Sequence, residues 1–253
     1  MRDFDESTLW RVSEYERVCQ ETGTSGFTPL DGKSGMLPSE FLADMRRLER
    51  DMPAGVDALE VVATSLRHHE PALLCLQCEG LVWPVTLFPT ERLYHCPRDM
   101  AVLPHASFEH LGLLSCDAPG VRPPGHWMHE RIAQAEHYRQ LDPLLWLLAL
   151  YGPRTALLSD IGGTAAYRAV YSQDGLRPPV SGVIASAMEH LRRESVPLRE
   201  LAGWPGMSLE RAARLLNGLY LTAGLLVTRS HPAARAEPGA VRRFLGGWSS
   251  TRR

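Results

Sequence analysis

The chain has 253 residues, 44% hydrophobic and 22% charged, which is enough apolar material for a real core and excludes wholesale disorder. That length suits one large domain or two small ones. The formal net charge of -2 excludes a strong field over the whole molecule, yet its distribution is uneven. Residues 1–181 hold 16 Lys and Arg against 24 Asp and Glu, a net of -8, and residues 182–253 hold 11 against 5, a net of +6. A basic C-terminal part suits nucleic acid, an acidic partner, or the acidic part of the same chain.

The start, Met1-Arg-Asp-Phe-Asp-Glu-Ser7, lacks the basic and apolar regions of a signal peptide. The longest apolar run, Leu144 to Tyr151, is far short of the roughly 20 residues that span a bilayer. These features predict a cytoplasmic protein without membrane contact. Five cysteines, at 19, 75, 78, 96 and 116, are too few and too unevenly spaced for a secreted disulfide framework, and free thiols are expected. Lys33 is the only lysine, which points to a GC-rich genome rather than to a role for each arginine.

In chain order, residues 1–36 read as a weakly structured segment, with a short helix between Asp3 and Gln20. Pro38 to Arg50 and Val56 to His68 carry apolar residues at helical spacing. The period then changes. Ala72 to Cys78 is a strand, Glu79-Gly80 a two-residue turn, Leu81 to Phe88 a second strand, and Arg92 to Cys96 a third. Pro84 has no N–H to give a ladder, which predicts an edge strand or a bulge there. Gly112 to Cys116 adds a fourth strand. Trp127 to Leu141 suits a helix. Asp142-Pro143 starts the next one, Leu144 to Tyr151, which is apolar nearly all round and should be buried. A short helix over Thr155 to Ile161 and a strand over Ala165 to Val170 follow. Ser172 to Pro179 is the predicted domain boundary.

Beyond it, Val183 to Arg193 is an amphipathic helix and Val196 to Ala202 a short one. Gly203 to Met207 is a turn. Ser208 caps a third helix, Leu209 to Ala223, with Ala212, Leu216, Leu219 and Ala223 inward, and Leu225 to Arg229 is a strand. The segment Leu198 to Val227, with its helix-to-strand passage Ala223-Gly-Leu-Leu226, resembles the winged-helix modules of bacterial regulators. The meander around Gly80, Phe88 and Leu93-Tyr-His-Cys96 resembles that of PATAN-type domains of bacterial response regulators. It departs from that pattern at Pro84 and at Glu91, where a glycine is usual. The second resemblance implies a protein–protein interaction domain in signalling, with a link to surface motility.

Few constellations carry chemistry. Gly32-Lys33-Ser34 has the ending of a phosphate-binding loop, but Gly26 stands six rather than five residues before Gly32 and Pro29 removes a donor; it reads as a loop. Cys75 and Cys78 have half a zinc-site spacing. In a strand they face opposite sides, so buried structural cysteines are expected; His95 and Cys96 are the only further ligands worth weighing. His126, His129 and Glu130 share a helical face without forming a zinc-protease motif. No Gly-x-Ser-x-Gly elbow is present, and no catalytic residue, cofactor or metal is assigned. On the third helix of the C-terminal module, Arg211, Arg214 and Asn217 lie opposite the apolar stripe. Arginine and asparagine read guanine and adenine edges; Arg229, Arg242 and Arg243 suit phosphates or an acidic partner.

The expectation is therefore an α+β fold: helices packed on a small antiparallel β-meander over residues 37–175, followed by a winged-helix-like module with a basic tail over 180–253. The expected function is a non-enzymatic bacterial signalling adaptor that binds another signalling protein. The alternative is a DNA-binding transcriptional regulator.

Overall fold

The structure, a computed structural model, describes residues 9–22, 37–52, 55–126, 134–170 and 180–230. It is mixed helix and antiparallel sheet, as the α+β reading expects. The predicted phosphate-type loop, the domain boundary, His129, Glu130, Arg242 and Arg243 lie outside the described residues.

The meander forms as read. Strands β2 (Ala72–Cys78), β3 (Leu81–Phe88) and β4 (Leu93–His95) follow one another antiparallel. Glu79 and Gly80 both take positive φ, 51° and 76°, the twist a two-residue hairpin needs. Strand β5 (Gly112–Asp117) joins the far side of β2, and β6 (Tyr138–Gln140) joins β4. A two-residue strand, β1 (Trp10–Arg11), pairs with Val82 and Leu81.

Pro84 does not sit on an edge strand, because β3 has neighbours on both sides. On one side β1 meets residues 81 and 82 and β4 meets 86 to 88. Pro84 falls in the gap between them, where no ladder asks for its N–H. The register shift lies instead between β2 and β5.

One face of this sheet carries the main core. Helix α3 (Ala58–His68), capped by the Asp57 carboxylate on the Leu59 N–H at 2.8 Å, packs there beside α2 (Ser39–Asp51). Helix α4 (Leu141–Tyr151), largely apolar and buried as its composition requires, belongs to the same core. A smaller cluster on the other face joins Leu73, Cys75 and Val82 to Tyr15 of α1 (Val12–Thr22). The short helix expected between Asp3 and Gln20 is present from Val12 and runs on to Thr22. Two predicted helices are not borne out in their described residues. Tyr138–Gln140 is strand, and residues 155–161 form a turn-rich loop.

The C-terminal part comprises α5 (Gly182–Arg193), β8 (Val196–Pro197), α6 (Leu198–Ala202), α7 (Leu209–Leu221) and β9 (Leu225–Thr228). Its sheet runs β8-β7-β9, with β7 (Ala166–Ala169) in the middle. That central strand comes from before the predicted boundary, and a single apolar cluster runs from α3 and β2 through α4 to α7 and β9. The two predicted domains share one core. Helix α7 ends at Leu221, two residues early. Ala223 takes φ 56° and is exposed, while the Gly224 N–H reaches the Leu219 carbonyl at 2.7 Å and the Ala223 N–H the Tyr220 carbonyl at 3.0 Å. This is a Schellman ending with alanine in the place glycine favours.

Candidate functional site

Helix α7 carries the residues singled out for recognition, and the structure separates them. Asn217 is fully buried. Its Oδ1 accepts the Leu158 N–H at 2.9 Å and its Nδ2 donates to the Ala156 carbonyl at 3.0 Å. Both ends of the amide hold the 155–161 loop in place of the helix expected there, so Asn217 is closed to a base edge. Arg214 is largely covered; it donates to the Leu150 carbonyl at the end of α4 at 2.6 Å and to Glu210 at 2.9 Å. Arg229 donates to the carbonyls of Gly162 and Asp160 at 2.8 and 3.1 Å. Of the three residues on α7, only Arg211 stays exposed, its Nη1 on the Gly206 carbonyl at 2.6 Å.

The reason is the second face of α7. The helix lies against α4, and a methyl group on Gly218 would overlap the Trp146 ring. One apolar stripe through Ala212, Leu216 and Leu219 was legible. A second flank, through Ala213, Asn217 and Leu221, is buried as well. The signal available in the sequence was the apolar Ala213, Leu215 and Leu221 lying off the single stripe.

The same loop is fixed from below by a buried ionic group. Arg154 meets Glu60 at 2.7 Å and Asp57 at 2.9 Å, and Glu60 accepts the Ser159 N–H and hydroxyl at 2.9 and 2.8 Å. Glu60 is only 2% exposed. Its pairing satisfies both carboxylate oxygens, the condition under which a buried charge is tolerated. Sequence reading found neither partner, because nothing local marks an ion pair between residues so far apart in the chain.

A cleft of about 680 Å³ opens between α3, the β3–β4 turn and the end of α7. Ala63, Leu66, Tyr220 and Leu225 line it, with Arg67 and Arg92. Both arginines are occupied: Arg67 pairs with Asp160 and with Asp44, at 2.7 Å for the latter, and Arg92 pairs with Asp142 and reaches the Leu221 carbonyl at 3.4 Å. The His68 hydrogen bond, with Arg67 behind it, holds the Asp44 carboxyl below its ordinary range. The cleft thus offers apolar surface and internally balanced charge.

The cysteines behave as structural residues. Cys75 and Cys78 are both fully buried, in clusters on opposite faces of the sheet, as the strand period requires. Burial raises the thiols of Cys75 and Cys78, and pushes those of Cys96 and Cys116 up to about 12. Such thiols are poor nucleophiles. Among the described residues no three His, Cys, Asp or Glu side chains gather as a metal site, and no helix is long and apolar enough to cross a membrane.

The turn between α6 and α7 presents apolar surface. Val183, at the start of α5, packs on Gly206 and is exposed; Leu209, first residue of α7, is 58% exposed. Trp204 and Met207, in the same turn, are half-buried, the Trp204 ring 5.2 Å from that of His190. Arg211 borders this patch through its bond to Gly206. Comparison with family models, with curated proteins and with solved structures finds no match to this chain.

Proposed function

We propose that the chain is a non-enzymatic adaptor in bacterial signalling that acts by binding another protein, with a winged-helix-like C-terminal module as its contact element. The observation that carries this reading is the patch of Val183, Trp204, Met207 and Leu209 beside Arg211. Exposed apolar side chains around a half-buried tryptophan, rimmed by an arginine, have the makeup of a protein-binding hot spot. The order of α5, α6, α7 and β9 supports the winged-helix-like reading, and the burial of Asn217 and the ties of Arg214 to Leu150 and Glu210 favour a protein over DNA as its ligand.

Affinity capture with the full chain as bait tests it, comparing wild type with Leu209→Glu. The substitution is at an exposed helix start, where a carboxylate suits the dipole, so the fold is retained. A protein held by wild type and lost by Leu209→Glu is expected. Equal capture by both would sink the proposal. Duplex DNA remains the second reading, favoured by the net +6 of residues 182–253 and the exposed Arg211.

A further inference from the structure

The sheet β8-β7-β9 ends on β9, and among the described residues nothing pairs with the outer edge of that strand. Open edges invite pairing with other chains, and proteins blunt them with shortness, proline, charge or bulges. The other edges here are blunted. β8 has two residues, one of them Pro197. β1 has two, with Arg11. β6 has three, with Arg139 at its centre, and β5 carries the register shift and ends on Asp117. β9 reads Leu225-Leu-Val-Thr228, without charge, proline or bulge.

One bond fixes which backbone groups face outward. The Val170 N–H donates to the Gly224 carbonyl at 2.9 Å, and the register continues through Ala169 with Leu225, Arg168 with Leu226 and Tyr167 with Val227. Facing alternates along an antiparallel ladder. Leu226 and Thr228, and Gly224 through its carbonyl, therefore direct their backbone groups to β7, and Leu225 and Val227 direct theirs out of the sheet. The Leu225 and Val227 side chains pack on the core, whereas Leu226 stands 49% exposed on the other face.

We infer that a second copy of this chain occupies the edge, β9 running antiparallel to β9 about a two-fold axis. The symmetric register that joins the outward groups pairs Leu225 with Val227 of the second copy, and Val227 with its Leu225. Leu226 then faces the second copy's Leu226 across the axis, in the non-hydrogen-bonded position where Cα atoms approach to about 4.5 Å. One of the few large exposed apolar side chains is thereby buried against itself, as an isologous contact requires. No like charges meet, because the strand is uncharged and the Arg229 guanidinium is held by the carbonyls of its own chain. On the core side, the second copy's Val227 arrives beside Leu225 at the wall of the cleft, whose apolar lining and paired arginines suit such an occupant.

Sedimentation equilibrium of the full chain tests this, from micromolar to millimolar, for wild type, Leu226→Glu, Leu226→Lys and an equimolar mixture of the two variants. Wild type is expected to dimerise, each variant to stay monomeric through like charges at the axis, and the mixture to dimerise again. Amide exchange at Leu225 and Val227 is expected to be slow in wild type and fast in either variant alone. A wild type that is monomeric throughout, or a dimer that both variants leave intact, would overturn the inference. Leu209→Glu keeps the dimer here, so this inference and the adaptor reading fail separately.

Discussion

Gly218 of α7 lies directly against the indole of Trp146 in α4, with no room for a side chain between them. Glycine inside a helix costs about 1 kcal/mol relative to alanine, so its place here reflects the approach of the two helices. Gly218→Ala gains that amount and forces the ring or the helix axis to move, which costs about 1–3 kcal/mol. A net loss of stability is predicted in chemical denaturation. A variant more stable than wild type would mean that α7 does not pack this closely.

Arg154 compensates Glu60 in the interior. Removing it leaves a buried carboxylate unpaired, a loss of about 3–5 kcal/mol. Arg154→Ala is predicted to fall in that range, while a Glu60→Gln/Arg154→Met double variant recovers much of the loss. Additive costs of the two single changes would show that the pair is not coupled.

Ala223 occupies the left-handed position after α7, a conformation that costs an L-residue about 1–2 kcal/mol. Ala223→Gly relieves it, against a more flexible unfolded chain worth about 0.4–1 kcal/mol. The thermal midpoint is predicted to rise slightly. An unchanged or lowered midpoint contradicts the Schellman ending.

Much of this was legible in the sequence, and the failures share a cause. The meander, the burial of α4 and the opposite facing of Cys75 and Cys78 follow from local period alone. The middle strand of the second sheet did not: β7 reads correctly as a strand, but its partners β8 and β9 lie beyond the predicted boundary. Asn217 was placed outward because it is polar. Its burial depends on the carbonyl and amide of a distant loop, which no helical period reveals. The strand at Tyr138–Gln140 was taken for helix because a short strand ending a sheet carries too few residues to show its period.

Burial raises the Cys96 thiol from 9.0 to about 12 and the Tyr220 phenol from 10.0 to about 12. A folded-state value above the unfolded one favours the native state fully below the unfolded value and loses that contribution as pH climbs through the folded one. Stability is thus predicted to be independent of these groups near neutrality and to decline between about pH 9 and 12. Thiol-labelling followed by mass spectrometry gives a second check: Cys75, Cys78 and Cys96 are predicted to stay unmodified near pH 8 until the chain unfolds. Rapid labelling of the native protein at these sites would contradict their burial.

The central claim is that α7 is spent on the core and that the module meets a protein through the turn before it. Fluorescence anisotropy with random duplex DNA across a salt titration tests this most directly, on wild type and Arg211→Ala. The account predicts no binding that tracks Arg211, even at low salt. Binding that falls steeply as salt rises and weakens in Arg211→Ala would contradict it and make the chain a DNA-binding regulator.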